Sequence, residues 1–134
     1  MLPSLHDDFV VAYEVNCEAR QIKLHTKPDP RDVAKREQPP RTIIFNGVEG
    51  YHFENDAFGN IIFSLAAISI EQVLTDYGSR IVESYRMAGA PGWAADLASA
   101  PHALTAKGVK GFRLSSSYGL SGWVLAKEVL VEPA

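Results

Sequence analysis

Hydrophobic and polar residues alternate along several short stretches of this chain, a spacing of two that predicts half-buried β-strands. The first stretch is Asp8–Cys17, and its alternate residues form an apolar face that we expect in the core: Phe9, Val11, Tyr13, Val15 and Cys17. The second stretch is Gln21–Thr26, with Ile22 and Leu24 on its apolar face. The short connection between the two stretches predicts an antiparallel hairpin. A cysteine on the buried face is expected to be inert.

The segment from Arg41 onward carries the strongest strand signal in the chain. Thr42–Asn46 predicts a third strand. Gly47 and Gly50 predict a bend that splits this strand, and Gly50–Glu54 resumes it. The alternation in the second piece directs two aromatic residues to one face and two polar residues to the other.

An apolar strand is predicted after a turn. Residues 55–60 carry Asn, Asp and Gly, which are typical of a hairpin turn. The following segment, Asn60–Ile68, is apolar on both faces, as in a strand that is covered on both sides. We therefore expect it at the centre of the sheet, with a helix on one face.

A helix is predicted from Ile70 to about Met87. Ser69 is a favourable N-cap, and Gln72 completes the spacing of a capping box. One side of this helix carries an apolar stripe at helical spacing, made of Ile70, Val73, Leu74, Tyr77, Ile81 and Tyr85. The stripe stays in phase across Gly78, which favours a single helix.

The remaining segments predict less regular structure. The charged, proline-rich residues 27–40 predict an exposed loop with a helical turn near residues 32–36. Trp93–Ala98 predicts a further helical turn. Val109–Ser117 and Trp123–Val131 predict a closing pair of strands. The fold class expected for residues 1–134 is therefore one α+β domain, a bent antiparallel sheet of about six strands (β-β-β-β-α-β-β) packed on one main helix.

Composition narrows the classes of function. The net charge is −3, which does not favour a nucleic-acid partner, because such proteins usually carry a basic surface. Cys17 is the only cysteine, so an intramolecular disulfide and a multi-cysteine metal site are excluded. The apolar start of the chain is interrupted at His6 and no membrane-length apolar run follows, so a cytoplasmic protein without a membrane partner is expected.

His52 and Glu54 are the first candidates for chemistry, because residues two apart on a strand share a face. A His-x-Glu pair also begins the zinc deaminase signature, but that signature needs further cysteines which this chain lacks. Two ligands do not complete a zinc site, so we predict no metal and no cofactor. Arg113 and Tyr118 are added as candidates for the same surface site. The alternative is that these side chains are solvated residues of an exposed strand face.

Other polar clusters favour structural roles. His6, Asp7 and Asp8 are expected to form a capping or solvated cluster near the start of the chain. Residues 55–60 lack the ligand spacing of a calcium loop, and the serines of residues 115–121 lack a nucleophile elbow. The aromatic residues closest to the predicted loops are expected to lie mostly in the core: Tyr51, Phe53, Phe58, Trp93, Tyr118 and Trp123. No catalytic residue is predicted.

Three short motifs give the chain a resemblance to known proteins. They are Leu5-His6-Asp7 before the first strand, the segment Gly47–Phe53 with its glycines and aromatics, and the segment Ser116–Gly122. Together they resemble small uncharacterised bacterial cytoplasmic α+β domains, some of which are similar to immunity proteins of toxin systems. The shared motifs are glycines and hydrophobic residues, so the resemblance implies no catalytic residues.

Two hypotheses about function follow. The first is a non-enzymatic module that binds a protein or another partner, including an immunity-type role in which an acidic surface binds a basic toxin domain. The alternative is a small-molecule-binding protein or an enzyme that uses His52, Glu54, Arg113 and Tyr118 in one pocket. Both a monomer and a homodimer are compatible with the sequence.

Overall fold

The computed structural model describes residues 5–35, 37–89 and 92–133 and shows an α+β fold with one antiparallel sheet. In chain order the elements are β1 (Phe9–Asn16), β2 (Gln21–Lys27), β3 (Arg41–Asn46), β4 (Gly50–Glu54), β5 (Asn60–Ile68), α1 (Ile70–Ala88), a 3₁₀ helix (Gly92–Ala95), α2 (Ala100–Ala106), β6 (Lys110–Tyr118), β7 (Ser121–Ala126) and β8 (Glu128–Pro133). The order of strands across the sheet is β4-β7-β6-β5-β1-β2-β3-β8. The predicted class and the β1–β2 hairpin are confirmed.

The sheet bends at a corner where two long strands change direction together. On one side of the corner β3 pairs with β8, and on the other side β4 pairs with β7. The segment β3–β4 therefore runs beside the segment β7–β8 on both sides of the corner. Gly47 turns the chain with φ at +64°, and Lys127 N–H donates to the Asn46 carbonyl across the corner at 2.9 Å. A side chain at Gly47 would collide with Lys127. The break between β3 and β4 and the break between β7 and β8 therefore belong to one bend of the sheet. The predicted split at residues 47–50 is confirmed.

The two halves of the bent sheet enclose the first hydrophobic core. Ile22 and Leu24 of β2 and Phe45 of β3 are fully buried there, facing residues of β6 and β7. Phe45 packs against Phe112 with ring centroids 5.7 Å apart. The aromatic pair shows that the sheet folds over on itself, because these residues belong to strands in opposite halves.

A second core lies on the outer side of β6 and β7, under the helices. Ile70, Val73 and Ile81 of α1 pack there with Trp123 and Leu125 of β7. The start of α1 is as predicted, with Ser69 Oγ accepting a hydrogen bond from Gln72 N–H at 3.0 Å. The Gln72 side chain donates to Asp76 at 2.8 Å instead of returning to Ser69, so only half of the capping box forms.

The number of elements differs from the prediction. The sheet has eight strands in the described ranges rather than about six, and two α-helices rather than one main helix. The predicted last strand is two strands, because the corner at Lys127 divides it. The predicted helical turn at Trp93–Ala98 is the 3₁₀ helix, and α2 follows with Pro101 in its first turn. Proline suits that position because its missing N–H would be unpaired there anyway.

The prediction of a buried face on β1 is wrong. The register shifts between Val10 and Ala12, so β1 contains a bulge at Val11. Beyond a bulge, the alternate residues of a strand point to the face opposite to the one that their spacing predicts. On the N-terminal side of this bulge, Val10 is buried and Phe9 is not. After it Tyr13 and Val15 face the same side as β2's buried residues, but β5 pairs with β1 only at its first two residues. Tyr13, Val15 and Cys17 are nevertheless exposed.

Two expectations around β5 are also wrong. The strand lies within the sheet, between β1 and β6, yet it is not covered on both faces: only Asn60 and Ile62 are buried, and Phe63 is 56% exposed. The segment before it is not a hairpin turn, because β4 pairs with β7 and not with β5. Apolar residues on both faces of β5 therefore did not mean that other elements cover both of its faces.

The first residues of the described chain anchor the long loop between β2 and β3. Asp8, predicted to belong to a capping or solvated cluster, is 0% exposed and its carboxylate binds Lys35 Nζ at 3.3 Å and the Arg41 guanidinium. Lys35 Nζ also donates to the His6 carbonyl at 2.6 Å. The described part of residues 32–36 forms turns, while Arg36 of that predicted helical turn lies outside the described residues.

Candidate ligand-binding cleft

A cleft of about 780 Å³ opens beside β4, the strand at one end of the sheet. We call it the edge cleft. It is lined by residues 15–17 and 20–22 at the tip of the β1–β2 hairpin, residues 48–52, Arg80, Ile81 and Ser84 of α1, Gly92 and Trp93 of the 3₁₀ helix, Lys107 and Trp123. Its volume is in the range of small-molecule sites in proteins.

The backbone at the start of β4 forms the floor of the cleft. Val48 N–H donates to the Arg20 carbonyl at 3.0 Å, and Glu49 N–H donates to the Leu125 carbonyl at 2.8 Å. These bonds connect the hairpin tip to β7. In the described sheet β4 pairs with β7 alone, so its other edge has no strand partner.

Trp93 forms an aromatic wall because Gly50 has no side chain. A Cβ atom at Gly50 would lie 3.1 Å from Trp93 and 3.4 Å from the Trp123 ring. The indole N–H of Trp93 donates to the Glu49 carbonyl at 3.2 Å, which fixes the orientation of the ring. The glycine therefore allows two tryptophan side chains to approach the same point of the backbone.

Glu49 is the least exposed charged group that we find in the wall, at 18% for its side chain. Arg20 lies 3.5 Å and Lys107 lies 3.7 Å from its two carboxylate oxygens. Arg20 also donates to the Val48 carbonyl at 3.3 Å. These three charged residues come from the hairpin tip, the floor and the segment after α2, and they meet only in the folded chain.

His52 and Glu54 meet on the helix side of β4, as their spacing predicts, and a third residue joins them. Arg80 of α1 reaches His52 Nε2 and Glu54 Oε2, each at 2.8 Å. A guanidinium only donates hydrogen bonds, so His52 Nε2 accepts and is unprotonated in this arrangement. Arg80 thus occupies the ring nitrogen that a general base would use.

The other two predicted site residues do not join this group. Arg113 lies on the same sheet face as His52, two strands away across Trp123, and binds Asp76 of α1. Strand spacing puts the two backbones roughly 10 Å apart. Tyr118 lies opposite Ile61, outside the edge cleft, and is 58% exposed. The four candidates therefore do not converge on one pocket.

Most of the residues that line the cleft could not be predicted from the sequence. Arg20, Glu49, Trp93 and Lys107 line it, and of these only Trp93 was considered, as a core aromatic. The one available signal was the Gly47–Gly50 pair, which marked a backbone bend but not what would pack against it. Among the other aromatics, Trp123 is buried as expected, whereas Phe58 is 99% exposed.

Further observations limit the chemistry of the described chain. Among residues 5–35, 37–89 and 92–133, no group of three or more His, Cys, Asp or Glu side chains is arranged to hold a metal ion. No helix within those ranges has the length and apolar character required to cross a membrane. Comparisons with models of protein families, with curated proteins and with solved structures found no match to this chain.

Proposed function

We propose that this protein is a non-enzymatic binding module and that its ligand occupies the edge cleft. The observation that carries the proposal is the cleft itself, whose volume is about 780 Å³ and whose walls combine aromatic, aliphatic and charged side chains. Pockets that bind small molecules share this combination of an apolar lining with a few polar groups.

The state of the polar groups favours binding over catalysis. The Nε2 lone pair of His52 accepts a hydrogen bond from Arg80, and Arg80 also forms an ion pair with Glu54. A general base needs a free lone pair within reach of the substrate proton. The alternative of an enzyme built on His52, Glu54, Arg113 and Tyr118 is less well supported, since Arg113 and Tyr118 are not among the residues that line the cleft.

The single cysteine gives a direct test, because Cys17 is exposed and lines the edge cleft. The probe is N-phenyl-1-naphthylamine, an uncharged dye that fluoresces in apolar sites. We expect saturable binding to the unmodified protein, and at least a fivefold loss of affinity after Cys17 reacts with benzophenone-4-maleimide, which is large enough to block the cleft.

The matched control moves the thiol to the long loop between β2 and β3. In Cys17→Ser combined with Val33→Cys, the same reagent modifies an exposed loop residue, and dye binding is expected to remain at the unmodified level. Absence of saturable binding, or equal loss of affinity in both proteins, would show that the edge cleft is not a ligand site.

A second candidate is a protein-interaction role, including one of immunity type. Phe63 on β5 and Tyr118 on β6 leave aromatic area in solvent, at 56% and 58% exposure, and such residues are enriched in protein interfaces. Cross-linking in extracts of the source organism should recover a partner with the wild-type chain but not with Phe63→Ser combined with Tyr118→Ser. Equal recovery by the two chains, or none by either, would contradict this role.

A further inference from the structure

Positive charge is concentrated in the edge cleft, although the whole chain has a net charge of −3. Arg20, Arg80 and Lys107 line the cleft, whereas Glu49 is the carboxylate among the described lining residues and Glu54, outside them, pairs with Arg80, which leaves an excess of one positive charge. A concave site with an excess of one charge attracts ligands of the opposite charge. The first requirement of the ligand is therefore a negative group.

Two of these cations have donors left for a ligand. Arg20 and Lys107 lie 3.5 and 3.7 Å from Glu49, whereas a charge-assisted hydrogen bond between such groups is usually about 2.8 Å long. Both side chains are more than half exposed, at 64% and 55%. Arg80 differs, because His52 and Glu54 already occupy one of its nitrogens at 2.8 Å. A negative group is consequently expected at the exposed sides of Arg20 and Lys107, away from the less exposed Glu49 carboxylate.

The rest of the wall suits an apolar body. Trp93 is held over Gly50 by its hydrogen bond to the Glu49 carbonyl. Val15 and Tyr51 continue the exposed apolar lining towards the hairpin. A fixed indole offers a flat surface on which a planar ring stacks, and it lies next to the Glu49 backbone and hence next to the pair of cations.

We propose that the ligand of the edge cleft is an organic anion, with its acidic group bound at the exposed sides of Arg20 and Lys107 and its planar apolar body against Trp93. This inference rests on the proposed function and makes it more specific. Carboxylates and phosphates share the chemistry that two such cations recognise, so the acid group is left to the experiment.

The test uses two dyes that differ in charge: 8-anilinonaphthalene-1-sulfonate, an anion, and the uncharged N-phenyl-1-naphthylamine. We expect Arg20→Met and Lys107→Met each to weaken binding of the anion by about fivefold, with little change for the uncharged dye. Glu49→Gln should act in the opposite direction and strengthen anion binding several-fold, because it releases both cations from their carboxylate. Loss of packing alone would weaken both dyes.

The control is Arg86→Met, which removes the same charge from an exposed pair with Glu83 on α1, outside the residues that line the cleft. It should leave anion binding within twofold of wild type. An equal loss in Arg86→Met, or a loss in Glu49→Gln, would overturn the inference. If the uncharged dye binds and Cys17 modification blocks it while the charge variants have no effect, the proposed function stands and the organic anion is wrong.

Competition then identifies the acidic group. 1-Naphthylacetate and 1-naphthyl phosphate present a carboxylate and a phosphate on the same ring system. Displacement of the anionic dye by one of them at least fivefold more strongly than by the other assigns the group, and comparable displacement by both supports a site for either. Displacement by neither would contradict a site for organic anions.

Discussion

At the scale of single residues, the segment between β4 and β5 is stabilised by one carboxylate. Asp56 accepts hydrogen bonds from the Asn60 side chain, the Phe58 N–H and the Tyr13 hydroxyl, each at 2.9 Å. The bond from Asn60 is the main reason that the pKa of Asp56 lies below its ordinary value. The bond to Asp56 likewise raises the pKa of the Tyr13 hydroxyl.

These shifts predict how stability depends on pH. A depressed pKa stabilises the fold above the unfolded value, about 3.9 for aspartate, and the effect is lost as the pH falls through the folded pKa. The raised pKa of Tyr13 acts below about 10 and is lost as the pH rises through its folded value. Asp56→Asn should therefore lower the urea midpoint at pH 7, and this deficit should shrink as the pH falls from about 4 through the lower, folded pKa of Asp56. A deficit that persists unchanged at pH 3 would show that the charge is not its cause.

At the scale of elements, the contact between α1 and the sheet depends on Gly111 of β6. A Cβ atom there would lie 2.7 Å from the Ile68 carbonyl oxygen and 3.1 Å from Val73 of α1. Backbone cannot move aside as a flexible side chain does, so Gly111→Ala is expected to lower the free energy of unfolding by about 1–3 kcal/mol.

Gly59 provides the matched comparison for that substitution. A Cβ atom at Gly59 would meet nothing within 4 Å, so Gly59→Ala should leave the free energy of unfolding within about 0.5 kcal/mol of wild type. Urea unfolding of both variants is the measurement. Similar losses in the two would show that α1 does not pack against β6 as closely as described.

At the scale of the whole molecule, the buried Asp8 carboxylate joins segments that are far apart in the sequence. It binds Lys35 of the long loop and Arg41 of β3, and its backbone carbonyl accepts a hydrogen bond from Ile62 N–H of β5 at 2.9 Å. Asp8→Ala would leave two mostly buried cations without this carboxylate, at an expected cost of about 3–5 kcal/mol.

The neighbouring carboxylate is the control for Asp8. The Asp7 side chain is 48% exposed beside His6, and Asp7→Asn keeps a residue type that tolerates the φ of +66° found there. Its urea midpoint should equal that of wild type. A comparable loss in Asp7→Asn would assign the effect to the whole terminal segment and not to the buried charge.

The sequence predicted the features that depend on neighbouring residues and missed those that depend on distant ones. Ser69 and Gln72 located the start of α1, and the short turn after Asn16 located the β1–β2 hairpin. The residues around Val11 keep the alternation of an unbroken strand, so they carry no signal of the bulge that the pairing of β1 with β2 shows there. The edge cleft could not be predicted either, since Arg20, Glu49 and Lys107 become neighbours only through the bend of the sheet and the packing of the helices.

The pairing of β3 with β8 has a consequence for how the protein is made. Asn46 and Glu128, which form a side-chain hydrogen bond across these strands, are 82 residues apart. During synthesis β3 therefore leaves the ribosome long before β8 has been made. Until then, Ile43 and Phe45 cannot pack against Val129 and Val131. Folding is expected to finish only after β8 has been synthesised. Until then, we expect β3 to be the strand most prone to aggregation, because its edge towards β8 is unpaired.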